Sequence, residues 1–260
     1  MCRIEFGVLG PFEAVFDGRR IPIPRGRQRV LLASLVLNAN DVVSVDELLE
    51  RLWGDRLPSR PRGALQTCLT RLRHWLDAYA EGASELVRTS SAGYVMELPD
   101  HSVDLLRARR LLREAEAAAG RGDLLGQSIA LTAVLGLWRG AVLSDVRSDS
   151  LHRDVVPRLA EEYLRALEWR CEVGLALGRH DELVGDLVAV TRRYPFQERF
   201  WQQLMIALCR CGRQVEALAA YRQVSTHLRD EIGIDPGPEL RKLHVAILRN
   251  DLAVMSHGAR

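Results

Sequence analysis

Four leucines, at positions 65, 69, 72 and 76, recur at spacings of four, three and four, and no other feature constrains the chain as much. Apolar side chains at such intervals share one face of a helix, so this segment must bury that face against a core. Trp75 falls at the edge of the stripe. Pro58-Ser-Arg-Pro61 opens the helix and places Pro61 in the first turn, where the missing N–H has no intrahelical partner to lose. The opposite face carries Gln66, Thr70 and Arg73, with Thr67, Arg71 and His74 beside them. No acidic residue stands between Asp55 and Asp77, while Arg60, Arg62, Arg71 and Arg73 all fall in that window. A polar, acid-free, arginine-bearing face suits a DNA major groove, which phosphates flank on both sides. Taken alone it also suits an ordinary solvated helix.

The surroundings favour the first of these. Ile4–Leu9, Phe12–Phe16 and Arg20–Ile23 read as short strands, separated by Gly10-Pro11 and by Asp17-Gly18, a tight-hairpin dipeptide. Pro22 and Pro24 limit further pairing. Val30, Leu31, Ala33, Leu35, Val36 and Leu37 predict a first helix, entered through Arg25, Arg27 and Arg29. Ser44-Val-Asp-Glu47 has the form of a capping box, and the second helix it starts carries Leu48, Leu49, Leu52 and Trp53 before Gly54 stops it. After the third helix, Leu86–Thr89 and Tyr94–Leu98 flank the polar tip Ser90-Ser-Ala-Gly93. A sheet, three helices with a long third, and then a hairpin is the element order of a winged helix.

From Asp104 onward strand signals vanish and alanine, leucine, arginine and glutamate dominate in helical periods. Leu177-Gly-Arg-His-Asp-Glu-Leu-Val184 resembles Cys211-Gly-Arg-Gln-Val-Glu-Ala-Leu218, and their glycines, Gly178 and Gly212, lie 34 residues apart. That is the period of tetratricopeptide helix pairs, and Arg121-Gly-Asp123 has the form of an earlier, degenerate turn of the same kind. Leu218-Ala-Ala-Tyr221 fits the small-then-aromatic packing between paired helices. Such arrays present protein-binding surfaces and seldom carry catalytic chemistry. The expected fold is mainly α with a small N-terminal β-sheet and a wing hairpin. It comprises a winged helix-turn-helix domain over residues 1–99, an all-α tetratricopeptide-like domain over 100–252, and a tail over 253–260.

Composition mainly excludes. With 260 residues, 47% hydrophobic and 27% charged, both halves can bury a core. The net charge of +2 says little, so the distribution of charge matters more than its sum. Of the 36 basic residues only Lys242 is a lysine, a bias that covers both halves and so is not a mark of DNA binding. Cys2, Cys68, Cys171, Cys209 and Cys211 contain no Cys-x-x-Cys pair, and Cys209 and Cys211 point to different helix faces. Reduced thiols in a cytoplasmic protein, with no metal site, are the expectation. No apolar run approaches the roughly 20 residues of a membrane helix. His180 and His227 have no partner at ligand spacing, Glu161-Glu162 reads as a solvated face, and Trp138, Trp169 and Trp201 read as packing residues. Neither hydrolase nor nucleotide-binding signatures occur, so an enzyme and a cofactor are not expected.

Several of these stretches carry a resemblance. Arg27-Gln-Arg-Val-Leu-Leu-Ala33, Val42-Val-Ser-Val-Asp-Glu-Leu-Leu49, Leu52-Trp-Gly-Asp55, Leu65-Gln-Thr67 and Arg71-Leu-Arg73 resemble the DNA-binding half of the Streptomyces antibiotic regulatory protein family, itself similar to the OmpR winged-helix class. Leu137-Trp-Arg-Gly140, Leu175-Ala-Leu-Gly-Arg-His180, Gly212-Arg213 with Glu216-Ala-Leu-Ala-Ala-Tyr-Arg222, and Glu231-Ile-Gly-Ile-Asp-Pro-Gly-Pro-Glu-Leu240 resemble the bacterial transcriptional activation domain that follows it. The similarity runs from Ile4 to about Asn250.

The resemblance implies a transcriptional activator of a secondary-metabolite gene cluster. It would bind promoter direct repeats as a head-to-tail pair of protomers, recruit RNA polymerase, and work in the cytoplasm on the nucleoid. A repressor built from the same parts, or a helical scaffold or ligand sensor with a winged helix that no longer reads DNA, is the alternative. Carried over by position, Gln66, Thr67, Thr70, Arg71 and His74 face base edges, and Arg62 and Arg73 face phosphates. Arg25 and Arg27 stand at the mouth of the first helix and Arg60 before the third, all phosphate candidates. The family places an arginine in the wing soon after a threonine. Here Thr89 is followed by Ser90 and Ser91, and Arg88 precedes it, so either Arg88 substitutes or the wing contributes less. Cys68 replaces a larger polar residue, which bears on base preference.

Overall fold

The computed structural model describes residues 4–251; Cys2 and the expected tail 253–260 lie outside them. The chain divides into two compact units, Met1–Arg113 with Ala133–Leu164 and Glu114–Thr132 with Arg165–Arg260.

In the first unit, β1 (Ile4–Gly7), β2 (Glu13–Phe16) and β3 (Arg19–Ile21) form an antiparallel sheet in that order. Asp17 and Gly18 both adopt positive φ, 44° and 78°, which lets a two-residue loop join strands of right-handed twist. β1 ends two residues earlier than its apolar run. The N–H groups of Val8 and Leu9 leave the ladder and donate to the Asp104 carboxylate, at 2.8 and 3.0 Å. α1 (Arg27–Leu37), α2 (Val45–Trp53) and α3 (Pro61–Tyr79) follow. Ser44 Oγ accepts the Glu47 N–H at 3.1 Å, as the capping box requires, and Gly54 ends α2 at φ 53°.

β4 (Val43–Ser44) joins β5 (Val87–Thr89) and β6 (Gly93–Met96) in a second antiparallel sheet, ordered β4-β6-β5. Two residues are too few to show an alternation, so β4 left no signal in the sequence. Its close approach is legible only in Gly93, where an added Cβ would stand 2.0 Å from the Val43 carbonyl oxygen.

The first unit also takes residues from the chain that follows the winged helix. α4 (Asp104–Gly120), α5 (Leu124–Leu135), α6 (Asp149–Asp154) and α7 (Val156–Ala176) succeed one another. Val142, Leu143, Val146, Leu151 and Leu159 are buried in the same core as Phe6, Leu31, Leu48 and Leu72. Arg139 and Leu143 donate their backbone N–H groups to Leu9 and Gly10 at 2.8 and 2.7 Å, so an irregular stretch satisfies backbone that the sheet leaves open. Asp145 accepts the Phe12 N–H at 2.7 Å and the Arg29 guanidinium, and Ser148 Oγ donates to the Arg51 carbonyl at 2.8 Å.

The second unit continues with α8 (His180–Arg193), α9 (Glu198–Arg210), α10 (Gln214–His227) and α11 (Pro238–Leu248). Three turns share one design. Gly122, Gly178 and Gly212 adopt φ of 69°, 76° and 73°. The residue after each returns its N–H to a carbonyl five positions back: Asp123 to Ala118, Arg179 to Gly174, Arg213 to Leu208, at 2.9, 3.0 and 2.8 Å. These are Schellman stops, for which glycine tolerates the left-handed backbone that other residues resist. The degenerate turn at Arg121-Gly-Asp123 is thus built like the other two. Packing follows the repeat: Ala217 and Ala220 are buried, and Tyr221 stacks on His244 with ring centroids 3.8 Å apart.

Candidate nucleic-acid interface

α3 is fixed by its stripe. Leu65, Leu69, Leu72 and Leu76 are all at most 1% exposed, so the helix can neither roll nor slide without opening the core. Trp75 Nε1 donates to the Pro22 carbonyl at 3.1 Å and ties the helix to the end of β3. With that face held, Arg62, Gln66, Thr67, Thr70, Arg71 and His74 are all exposed. Thr67 and Thr70 donate their hydroxyl protons to the carbonyls of Gly63 and Gln66, each at 3.0 Å. Their oxygens are left as acceptors, and their methyl groups offer apolar contact of the kind a thymine methyl makes.

Arg25, Arg27 and Arg60 are exposed, and among the described residues Arg25, Arg60, Arg62 and Arg71 form no ion pair. Arg27 lies over the ring of Trp53, 5.3 Å from its centroid, so the last residue of α2 orients a cation from the start of α1. Half-buried Cys68 feels both Arg27 and Arg71: burial pushes its thiol up, and the charges of these two arginines pull it back. Arg27 and Arg71 therefore share one neighbourhood. Nothing in the spacing of the sequence shows this.

The wing is organised from two sides. The Asn40 side chain donates to the Leu98 carbonyl and accepts the Leu98 N–H, both at 2.9 Å, holding the end of β6 to the α1–α2 turn. At the tip, Ser90 and Gly93 exchange backbone bonds of 2.9 and 3.3 Å, and Thr89 and Ser91 are exposed while Ser90 is half-buried. Arg88 pairs with Glu97 across the hairpin at 3.2 Å, on an exposed part of the sheet away from the tip. Such a pair holds weakly and can be exchanged for a phosphate.

Arg73, expected on a phosphate, is half-buried. Its Nε and Nη2 donate to the Val87 carbonyl at 3.3 and 2.9 Å, and Nη2 reaches Thr89 Oγ1 at 3.4 Å. Spacing along α3 gave no hint of this contact, since its partner lies in the wing.

Among the described residues no group of three His, Cys, Asp or Glu side chains is placed to hold a metal, and no helix is long and apolar enough to cross a membrane. Cys68, Cys171, Cys209 and Cys211 are free thiols.

The chain is similar to known proteins along nearly its whole length. Residues 23–96 match the family described as transcriptional regulatory protein, C terminal, and residues 103–248 match the bacterial transcriptional activator domain. The chain is 36% identical over 249 residues to the transcriptional regulatory protein EmbR of Mycobacterium tuberculosis, covering 95% of this chain and 64% of that protein. It is 36% identical over 262 residues to the regulatory protein DnrI of Streptomyces peucetius, covering 98% and 96%. To the regulatory protein AfsR of Streptomyces coelicolor it is 39% identical over 256 residues, covering 98% and 25%. The solved structure of EmbR in complex with a low-affinity phosphopeptide superposes with a TM-score of 0.90 at 34% identity, over 99% of this chain and 69% of that one. The chain thus spans less than two thirds of the length of EmbR.

Proposed function

We propose, because the chain belongs to the Streptomyces antibiotic regulatory protein family of bacterial transcriptional regulators, that it activates a secondary-metabolite gene cluster by reading a direct repeat in promoter DNA. One observation carries the DNA reading: an exposed face of α3, free of acids from Pro61 through Leu76, locked by a buried leucine stripe and accompanied by a wing and by arginines that form no ion pair among the described residues. Gln66, Thr67, Thr70, Arg71 and His74 contact base edges in the major groove, and Arg62, Arg60, Arg25 and Arg27 contact phosphates. Thr89, Ser90 and Ser91 bring hydroxyls to the adjoining groove, with Arg88 released from Glu97 where the backbone lies near.

Residues 1–99 supply these contacts, and residues 100–252 supply the activation surface. A direct repeat is read by two protomers in head-to-tail order, and the pair holds RNA polymerase at a weak promoter. The protein acts in the cytoplasm, on the nucleoid.

The test is a gel-shift titration of the purified chain against promoter fragments of its neighbouring genes, with long nonspecific competitor and two salt concentrations. A discrete complex that survives competitor and weakens with salt is the expected result, because each neutralised phosphate releases counterions. Absence of a specific complex at every promoter would move the function to the helical repeats.

A further inference from the structure

The wing sheet has an edge. β5 is its outer strand, and the antiparallel ladder alternates. Ser90 and Gly93 exchange both backbone bonds, and the Glu97 N–H donates to the Leu86 carbonyl at 2.8 Å. With the register Val87↔Met96, Arg88↔Val95 and Thr89↔Tyr94, the backbone groups of Val87 and Thr89 therefore point away from β6, where no strand among the described residues pairs with them. Arg73 occupies that edge: its fork takes the Val87 carbonyl with two nitrogens and touches the hydroxyl of Thr89. Arg73 also continues the stripe of Gln66 and Thr70 at helical spacing, so one side chain belongs both to the reading face and to the wing.

We propose that Arg73 is a positioning residue that clamps the free edge of the wing to the recognition helix and so sets where the wing lands once α3 is seated. The proposal rests on the DNA-reading role of α3. The tip residues Ser90, Ser91 and Ala92 carry no charge, so the tip gains nothing from attraction and depends on being held at the correct distance. A planar fork meets a carbonyl and an adjacent hydroxyl together, which the single ammonium of lysine does not reproduce.

The test uses the full chain, wild type against Arg73→Lys and Arg73→Gln. Hydroxyl-radical footprinting is done on the promoter fragment upstream of the neighbouring gene cluster, together with salt titrations and amide hydrogen exchange of the free protein. With the clamp, both variants lose protection on the wing side of the footprint while protection under α3 persists. Both then bind about tenfold more weakly, the loss of one charge-assisted bond, and Arg73→Lys keeps the wild-type salt slope. In the free protein the exchange of Ser90, Gly93 and Val95 amides accelerates, while that of Leu69 and Leu72 does not. Thr89→Val, which removes the hydroxyl acceptor, accelerates the same amides of the free protein by less. The proposal is overturned if Arg73→Lys behaves as wild type while Arg73→Gln loses about one unit of salt slope with the wing footprint intact, the signature of a phosphate contact. Unchanged exchange at Ser90, Gly93 and Val95 overturns it as well, even if no promoter gives a complex; wild-type failure to bind DNA would separately reject the DNA-reading role.

Discussion

Arg139 donates to the Asp104 carboxylate at 3.2 Å, and the same carboxylate accepts the N–H groups of Val8 and Leu9, so one ion pair closes the irregular end of β1. Arg139 also meets Glu13 at 2.9 Å and the Pro11 carbonyl at 3.2 Å. Burial pushes the Asp104 carboxyl up, and its bonds from Val8, Leu9 and Arg139 draw it down. Arg139→Ala leaves a largely buried carboxylate without its counter-charge. A loss of about 2–4 kcal/mol is expected, read as a lower urea midpoint at unchanged slope. An unmoved midpoint would show that Arg139 is dispensable to the junction.

A methyl group at position 93 should damage the wing more than any change at its tip. Gly93→Ala directs its Cβ into the Val43 carbonyl at 2.0 Å, and backbone cannot swing aside as a flexible side chain can. β4 must part from β6, at a cost of about 1–3 kcal/mol. The thermal midpoint falls and the Tyr94 amide exchanges faster; Ser91→Ala, at the exposed tip, serves as the neutral control.

Much of this was legible in the sequence, and the exceptions share a cause. The stripe Leu65, Leu69, Leu72, Leu76, the cap at Ser44, the Asp17-Gly18 hairpin and the stops at Gly122, Gly178 and Gly212 are local, and each leaves its mark within a few residues. What escaped depends on partners distant in the chain: Arg73 on Val87, Arg27 over Trp53, Asp145 on Phe12. The segment between the first two repeat turns shows the same limit. Gly122 and Gly178 stand 56 residues apart against 34 for the next pair, and the excess contains Leu143, Val146 and Leu151, which pack into the core of the winged helix. Its apolar residues announce burial but not against what.

That packing predicts the behaviour of a fragment. Residues 1–99 alone lose Val142, Leu143, Val146, Leu151 and Leu159 from their core and the acceptors at Asp104 and Asp145. Such a fragment should melt without a sharp transition, or well below the full chain, by circular dichroism. A cooperative melt at the temperature of the full chain would mean that the added segment is a passive cover.

Burial pushes the Cys171 thiol up to about 11. The unfolded chain releases this proton near the ordinary value of about 8.5, so above that pH the unfolded state binds fewer protons than the folded one. Stability should therefore fall as pH rises toward 11, by about 1.4 kcal/mol per pH unit. Cys171→Ala should flatten this part of the pH profile of the urea midpoint. In the native chain at pH 8, iodoacetamide should leave Cys171 unlabelled until the protein unfolds.

The central claim, that the exposed face of α3 reads bases, is tested most directly at Arg71. Fluorescence-anisotropy titrations would compare wild type and Arg71→Ala on the footprinted repeat and on duplexes altered one base pair at a time. Arg71→Ala should lose about 1–3 kcal/mol on the natural repeat and become indifferent to substitution at one base position, keeping its discrimination elsewhere. If the variant keeps full affinity and the full pattern of base preference, the face of α3 that carries Arg71 is not the one that meets the groove.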